Sequence, residues 1–230
     1  MKTIGLLGGT GWSSTIGYYT TLNKLVNERL GGYHSAKIIL KSIDYHDIMI
    51  CYGKDHEKIA ALLQVELSGL IAYKPDCIMI CCNSLHKYYD MIKERLGTNI
   101  PVMHAVELVA DHLVKYQQRR VLLLATQFTL EDGFFAKILE KQHIEVVIPS
   151  ATQRGNITAI HEELMQNIVT EKSKQYFSQL IAEHSHLDAV VLGCTEFPLV
   201  VDQTSSALPI IEPVMIQSER AVDYALDDIP

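Results

Sequence analysis

Apolar and polar positions along this chain fall into two alternating patterns. Short, almost unbroken apolar runs occupy residues 3–7, 37–41, 77–82, 101–103, 120–125, 145–148, 189–193 and 209–211. A parallel strand covered on both faces is apolar throughout, so these runs read as buried strands. Between them lie longer stretches in which apolar residues recur every three to four positions. Residues 55–73 are the clearest, with Ile59, Leu62, Leu63, Leu67 and Leu70 on one face. The same spacing predicts helices at 13–30, after Cys82 to about 96, and at 106–116, 129–141, 157–167, 171–184 and 214–226, with a partial helix inside 44–52. Gly8-Gly9-Thr10-Gly11 reads as a tight turn, and Gly31-Gly32 ends the first helix. Strand and helix in alternation predict an α/β fold with parallel sheets.

The pattern repeats. Residues 2–9 parallel 119–126, 77–84 parallel 189–196, and 100–106 parallel 208–214, at offsets of 117, 112 and 108 (119 − 2, 189 − 77, 208 − 100). Three matches in the same order, with slowly drifting offsets, point to a duplicated unit carrying small indels. The expectation is two similar parallel-sheet domains related by pseudo-twofold symmetry. The first spans 1–99 plus 213–230, the second 100–212, and the active site is expected in the cleft between them.

The second matched pair carries the chemistry. Cys77-Ile78-Met79-Ile80-Cys81-Cys82 runs into Asn83-Ser84, and Ala189-Val190-Val191-Leu192-Gly193-Cys194 runs into Thr195-Glu196. In register, Cys82 matches Cys194, whereas Cys81 matches Gly193. Each thiol is expected where a strand stops and a small polar residue caps a helix, facing orphan N–H groups and a positive dipole end that favour thiolate. Cys51, Cys77 and Cys81 read as core residues. His86 follows Cys82 by one helical turn and Glu196 follows Cys194 by two positions. Either is structural in the bland reading, or tunes its thiol. Thr126 and Thr129 cap a helix or bind a carboxylate. Among eleven tyrosines, Tyr52, in the loop after the second strand, is the one placed near the pocket.

Bulk properties narrow the class. A net charge of −7 with no basic cluster beyond Arg119-Arg120 argues against nucleic acid. No apolar run reaches membrane-span length. Five cysteines, two of them adjacent, argue against a disulfide scaffold and for a reducing cytoplasm. The cysteines lack paired metal-ligand spacing and no histidine cluster accompanies them, so no metal is expected. The glycine loop departs from the dinucleotide fingerprint and lacks a Walker lysine. It reads as a turn whose N–H groups meet a small anion.

Together, Gly5-Leu6-Leu7-Gly8-Gly9, Trp12-Ser13-Ser14-Thr15, Tyr18-Tyr19, Gly31-Gly32-Tyr33-His34-Ser35-Ala36-Lys37, Cys82-Asn83-Ser84-Leu85-His86-Lys87 and Gly193-Cys194-Thr195-Glu196 resemble the aspartate/glutamate racemase family over nearly the whole chain. The resemblance implies a cofactor-independent racemase, without PLP or metal, and a homodimer, acting on a small acidic amino acid. Cys82 and Cys194 would be its two acid/base residues. Asn83, Ser84 and the backbone at Leu85 would hold the α-carboxylate with Thr126, Thr129 and Thr195, and Thr10 and Tyr52 would line the site. Several positions depart from the family pattern. Thr10-Gly11 replaces Met-Ser or Met-Gly, Tyr52 replaces a longer polar side chain, Gly155 or Asn156 stands where some members carry lysine, and Gln217 where many carry histidine. Arg154 and Lys54 are the nearby cations that could compensate. These departures predict relaxed side-chain specificity. A hydantoin racemase, a maleate isomerase, a decarboxylase on the same scaffold and a binding protein with a dead site remain alternatives, since fold alone does not fix the reaction.

Overall fold

The structure is a computed structural model that describes residues 1–227. Its contacts divide into two compact units: Met1–Ala105 joined by the segment that begins at Val214, and Val106–Pro213. Each unit is a parallel α/β sheet.

In the first unit, β1 (Ile4–Gly8) lies between β2 (Ile38–Ser42) and β3 (Cys77–Ile80). All pairings are parallel, with Ile4 opposite both Ile38 and Cys77. β1 and β3 are buried at every position, as their unbroken apolar character requires. The helices are α1 (Trp12–Leu30), the short α2 (His46–Met49), α3 (His56–Ile71) and α4 (Leu85–Ile92), the last extended by a 3-10 turn at Lys93–Leu96. Leu7, Leu63, Leu67, Ile78, Ile80 and Tyr88 share one buried core. Residues 101–103 do not form the expected strand. Val102 makes a single parallel bridge to Ile78, held by Ile78 N–H on the Pro101 carbonyl and Met103 N–H on the Ile78 carbonyl. Pro101 has no N–H to extend the ladder.

Helix α5 (Ala105–Lys115) leads into the second unit. There the order is β5 (Glu145–Val147), β4 (Arg120–Leu124), β6 (Ala189–Leu192) and β7 (Ile210–Ile211), again all parallel. With Val102 taken as the fourth position, both units have the same strand order. The sequence offsets recur in the register: Ile4 pairs Cys77 as Val121 pairs Ala189, and Ile78 pairs Val102 as Val190 pairs Ile210.

Two helices differ from expectation. The stretch at 129–141 is broken into α6 (Gln127–Asp132) and α7 (Phe134–Lys141) at Gly133, whose φ of 71° ends α6 in the left-handed region. α8 (Ala151–Met165) starts six residues earlier than predicted, because Ser150 and Gln153 form a reciprocal capping box. α9 (Glu171–Glu183) follows. Leu122, Leu124, Phe177, Leu192 and Phe197 centre this unit's core. α10 (Pro213–Leu226) then returns the chain to the first unit, where Lys2 N–H donates to the Ala225 carbonyl. Among the described residues, no helix is long and apolar enough to cross a membrane.

Candidate active site

Strand β3 delivers two adjacent thiols to different fates. Cys81 is fully buried, its N–H bonded to the Leu7 carbonyl at 2.9 Å, and burial pushes its thiol far above the ordinary range. Cys82 is half-buried. Its sulfur meets Ser84 Oγ at 3.2 Å and Tyr45 Oη at 3.7 Å. Ser84 is not the helix cap the sequence suggested. It already has helical angles (φ −68°, ψ −24°) and makes no capping bond. Its hydroxyl is turned instead to Cys82 and to Tyr52 Oη, at 2.8 Å. Tyr45 and Tyr52 sit in and after the α2 loop, their oxygens 2.7 Å apart. Burial, then the nearness of Cys82, raises both phenols well above their usual range, so they remain protonated at neutral pH.

Thr10 lies in the turn after β1, where its hydroxyl donates to the Cys81 carbonyl at 2.8 Å. Gly9 in this turn has φ of 86°, which glycine adopts without strain. Asn83 and Leu85 are buried on either side of Ser84. Thus Thr10 and the 82–85 segment stand at the carboxyl ends of the adjacent strands β1 and β3, where open α/β sheets bind ligands.

His86 acts on the backbone rather than on the thiol. It is wholly buried; Nδ1 is 3.0 Å from the Cys82 carbonyl, and Nε2 accepts from Ala105 N–H at 3.1 Å. Those two partners fix a neutral ring protonated on Nδ1. Burial, with His104 stacked edge-on at 4.5 Å, pushes its pKa down to about 3. Gln217 on α10 is also buried, its Nε2 3.5 Å from His86 Nε2 and bonded to the Met103 carbonyl.

The second unit builds its thiol site differently. Gly193 N–H bonds to the Leu124 carbonyl at 2.6 Å, and a Cβ on Gly193 would meet Ala125 Cβ at 2.8 Å. This close approach sets Cys194 beside the end of β4. Cys194 is 7% exposed, and its S–H donates to Glu196 Oε2 at 3.1 Å. The Thr195 hydroxyl donates to the same oxygen at 2.9 Å, and Glu196 is itself buried. No helix dipole faces this thiol as the sequence suggested. The chain forms only a three-residue 3-10 turn, Phe197–Leu199, before Val200 and Val201 enter the core and Asp202 caps a separate turn. Cys194 is therefore flanked by a carboxylate, and Cys82 by hydroxyls.

Thr126 caps α6 by accepting from Thr129 N–H, and the two hydroxyls are 3.0 Å apart. This pair follows β4, next to the β6 end that carries Cys194. His161 on α8 was not anticipated, since nothing near Cys194 in sequence signals it. His161, Cys194 and Glu196 bring nitrogen, sulfur and oxygen atoms within 4.8 Å of one another. Such a donor set could hold a metal ion, although cysteine spacing alone had argued against one. Burial lowers the His161 pKa, partly opposed by Glu196 and Glu162. Arg154 donates to the Pro149 carbonyl, while Lys54, Gly155 and Asn156 are exposed.

A carboxylate can hold a thiol protonated, and hydroxyls can stabilise a thiolate. The two sites are thus suited to an acid and a base. Residues 7–221 match the model of the Asp/Glu/hydantoin racemase family. The chain is 25% identical over 224 residues to the broad specificity amino-acid racemase RacX of Bacillus subtilis, covering 91% of this chain and 92% of that protein. It is similar to a Yersinia pestis crystal structure assigned as an Asp/Glu racemase (TM-score 0.87, 35% identity, 98% and 100% of the two chains). An aspartate racemase homologue from Pyrococcus horikoshii superposes with a TM-score of 0.85 at 28% identity, covering 98% and 99%.

Proposed function

The chain belongs to the Asp/Glu/hydantoin racemase family, and from that premise we propose that it interconverts the L and D forms of an acidic amino acid through Cys82 and Cys194. One observation carries the reading: each thiol stands at the end of the equivalent strand in two units of the same strand order. Racemisation needs a base on one face of Cα and an acid on the other. One thiolate removes the Cα proton, the electron pair stays on Cα, and the other thiol returns a proton to the opposite face. Each enantiomer uses a different thiol as base. The Cα–H bond is a very weak acid, so the developing carbanion needs electrostatic help. Asn83, Ser84 and the Leu85 N–H, with Thr126, Thr129 and Thr195, supply donors for the α-carboxylate, while Thr10 and Tyr52 line the site. The chemistry asks for no cofactor. Reducing conditions and a homodimer complete the reading.

The similarity to a broad-specificity racemase supports a second reading, breadth of substrate. The Tyr52 hydroxyl is engaged with Ser84 and Tyr45, and no cation occupies its position.

The test is incorporation of solvent deuterium at Cα, followed separately for each enantiomer, in the wild type and in Cys82→Ser and Cys194→Ser. The wild type racemises with label entering the product, and each variant loses racemisation. Full racemase activity in Cys82→Ser would exclude the two-base scheme.

A further inference from the structure

Four contacts around Cys82 close on themselves. Sulfur meets Ser84 Oγ (3.2 Å), Ser84 meets Tyr52 Oη (2.8 Å), Tyr52 meets Tyr45 Oη (2.7 Å), and Tyr45 returns to sulfur (3.7 Å). Each of these groups can donate one hydrogen and accept others, so the circuit has four edges.

We propose that this ring of three hydroxyls holds the proton that Cys82 takes from substrate, and that Tyr52 governs how firmly it is held without touching the sulfur. The inference rests on Cys82 acting as a base, as proposed above.

Counting hydrogens gives the reason. With Cys82 as thiolate, three hydrogens serve four edges: Tyr45 and Ser84 both donate to sulfur, Tyr52 donates to Ser84, and the Tyr45–Tyr52 edge stays empty. When the Cα–H bond breaks, its electron pair stays on carbon and the proton forms S–H. S–H then donates to Tyr45, Tyr45 to Tyr52, Tyr52 to Ser84, and Ser84 to sulfur. Four hydrogens fill four edges, and only hydroxyl rotations are needed. A cyclic network in a buried site strengthens each member.

Removing the Tyr52 hydroxyl deletes two bonds from the protonated ring but one from the thiolate ring. The thiolate gains by one neutral hydrogen bond. Removing Ser84 deletes a charge-assisted bond to the thiolate itself, about twice as strong as a neutral one, so that gain disappears. Tyr88 meets Tyr52 edge-on and bonds His56 Nδ1, His86 meets the Cys82 carbonyl, and Cys81 is held protonated by burial.

The experiment is carboxamidomethylation of the full chain by iodoacetamide, with each cysteine followed by mass spectrometry. Tyr52→Phe accelerates labelling of Cys82 about two- to tenfold near neutral pH, the worth of one such bond. Cys194 labelling is unchanged. The acceleration vanishes once alkaline pH has brought the labelling rate of both proteins to its plateau, and Ser84→Ala shows none. Unchanged or slower labelling in Tyr52→Phe overturns the ring. So does an acceleration that persists on that alkaline plateau, which reports access instead of protonation, or an equal acceleration in Ser84→Ala. If Tyr52→Phe does not fold, Tyr52→Leu is read by the same criteria. Absence of racemisation in the wild type would sink the proposed function, while the labelling ratio still decides the ring.

Discussion

Glu196→Gln isolates the effect of one buried charge on one thiol. Sγ of Cys194 lies 3.1 Å from Glu196 Oε2, and both groups are buried. If Cys194 ionised beside the carboxylate, two negative charges would repel by about 5 kcal/mol at an effective dielectric near 20. Relaxation and screening reduce the realised penalty, with the lost S–H bond included, to about 1.5–3 kcal/mol, the usual worth of a hydrogen bond to a charged group. The amide removes the charge, keeps the shape and brings an N–H2 that can donate to sulfur. Thiolate at Cys194 should therefore become about ten- to a hundredfold more populated at neutral pH. The assay is site-resolved iodoacetamide labelling, with circular dichroism to establish folding. In turnover, less of Cys194 is held as the thiol that returns a proton to Cα. Enantiomers are equal in free energy, so kcat/KM must fall equally in both directions, whereas kcat can fall unequally. A folded Glu196→Gln protein whose Cys194 labels no faster than in the wild type would refute the reasoning.

Three further outcomes are expected. Gly193→Ala places a Cβ 2.8 Å from that of Ala125 and 3.0 Å from Leu123 Cδ1, so it destabilises by about 1–3 kcal/mol of overpacking, read from the urea midpoint. His86 titrates near 3 when folded, against an ordinary value near 6.5. Because the unfolded chain binds the extra proton first, its contribution to stability is complete above about pH 6.5 and is lost as pH falls toward 3; the wild-type urea midpoint drops between pH 7 and 5, and His86→Gln shows a shallower drop. Values of kcat/KM for aspartate, glutamate, asparagine and methionine spread by less than about a thousandfold, well above the worth of one charge-assisted bond; a stricter preference for one acidic substrate refutes the reading of Tyr52 and Asn156.

What could be read from sequence was what repeats or is locally encoded. Buried parallel strands carry unbroken apolar runs, so β1, β3, β4 and β6 were visible, and the offsets of 117 and 112 reappear as β-ladder register. Ser150-Ala151-Thr152-Gln153 spelled the true start of α8, but exposed Gly155 and Asn156 interrupt the apolar spacing and masked it. The turn after Cys194 was misread because Thr195-Glu196 looks like a helix start, while the burial of Val200 and Val201 overrides it. Tyr45 and His161 had no local signal. Tyr45 is brought to Cys82 by the α2 loop, and His161 to Glu196 by packing of α8, both consequences of tertiary structure.

The first unit is discontinuous in sequence, and this bears on the order in which a growing chain acquires structure. Residues 106–213 form one uninterrupted stretch and can condense while synthesis continues. The first unit cannot finish until α10 emerges. Lys2 awaits the Ala225 carbonyl, and the Met103 carbonyl awaits Gln217, which also packs on His86 beneath the Cys82 turn. A ribosome-bound chain lacking α10 would hold β1 to β3 without that support. Closing so long a loop is slow relative to local helix contacts. The half of the protein made first is thus completed last, and a nascent chain cut short before α10 should leave the Cys82 turn unsupported.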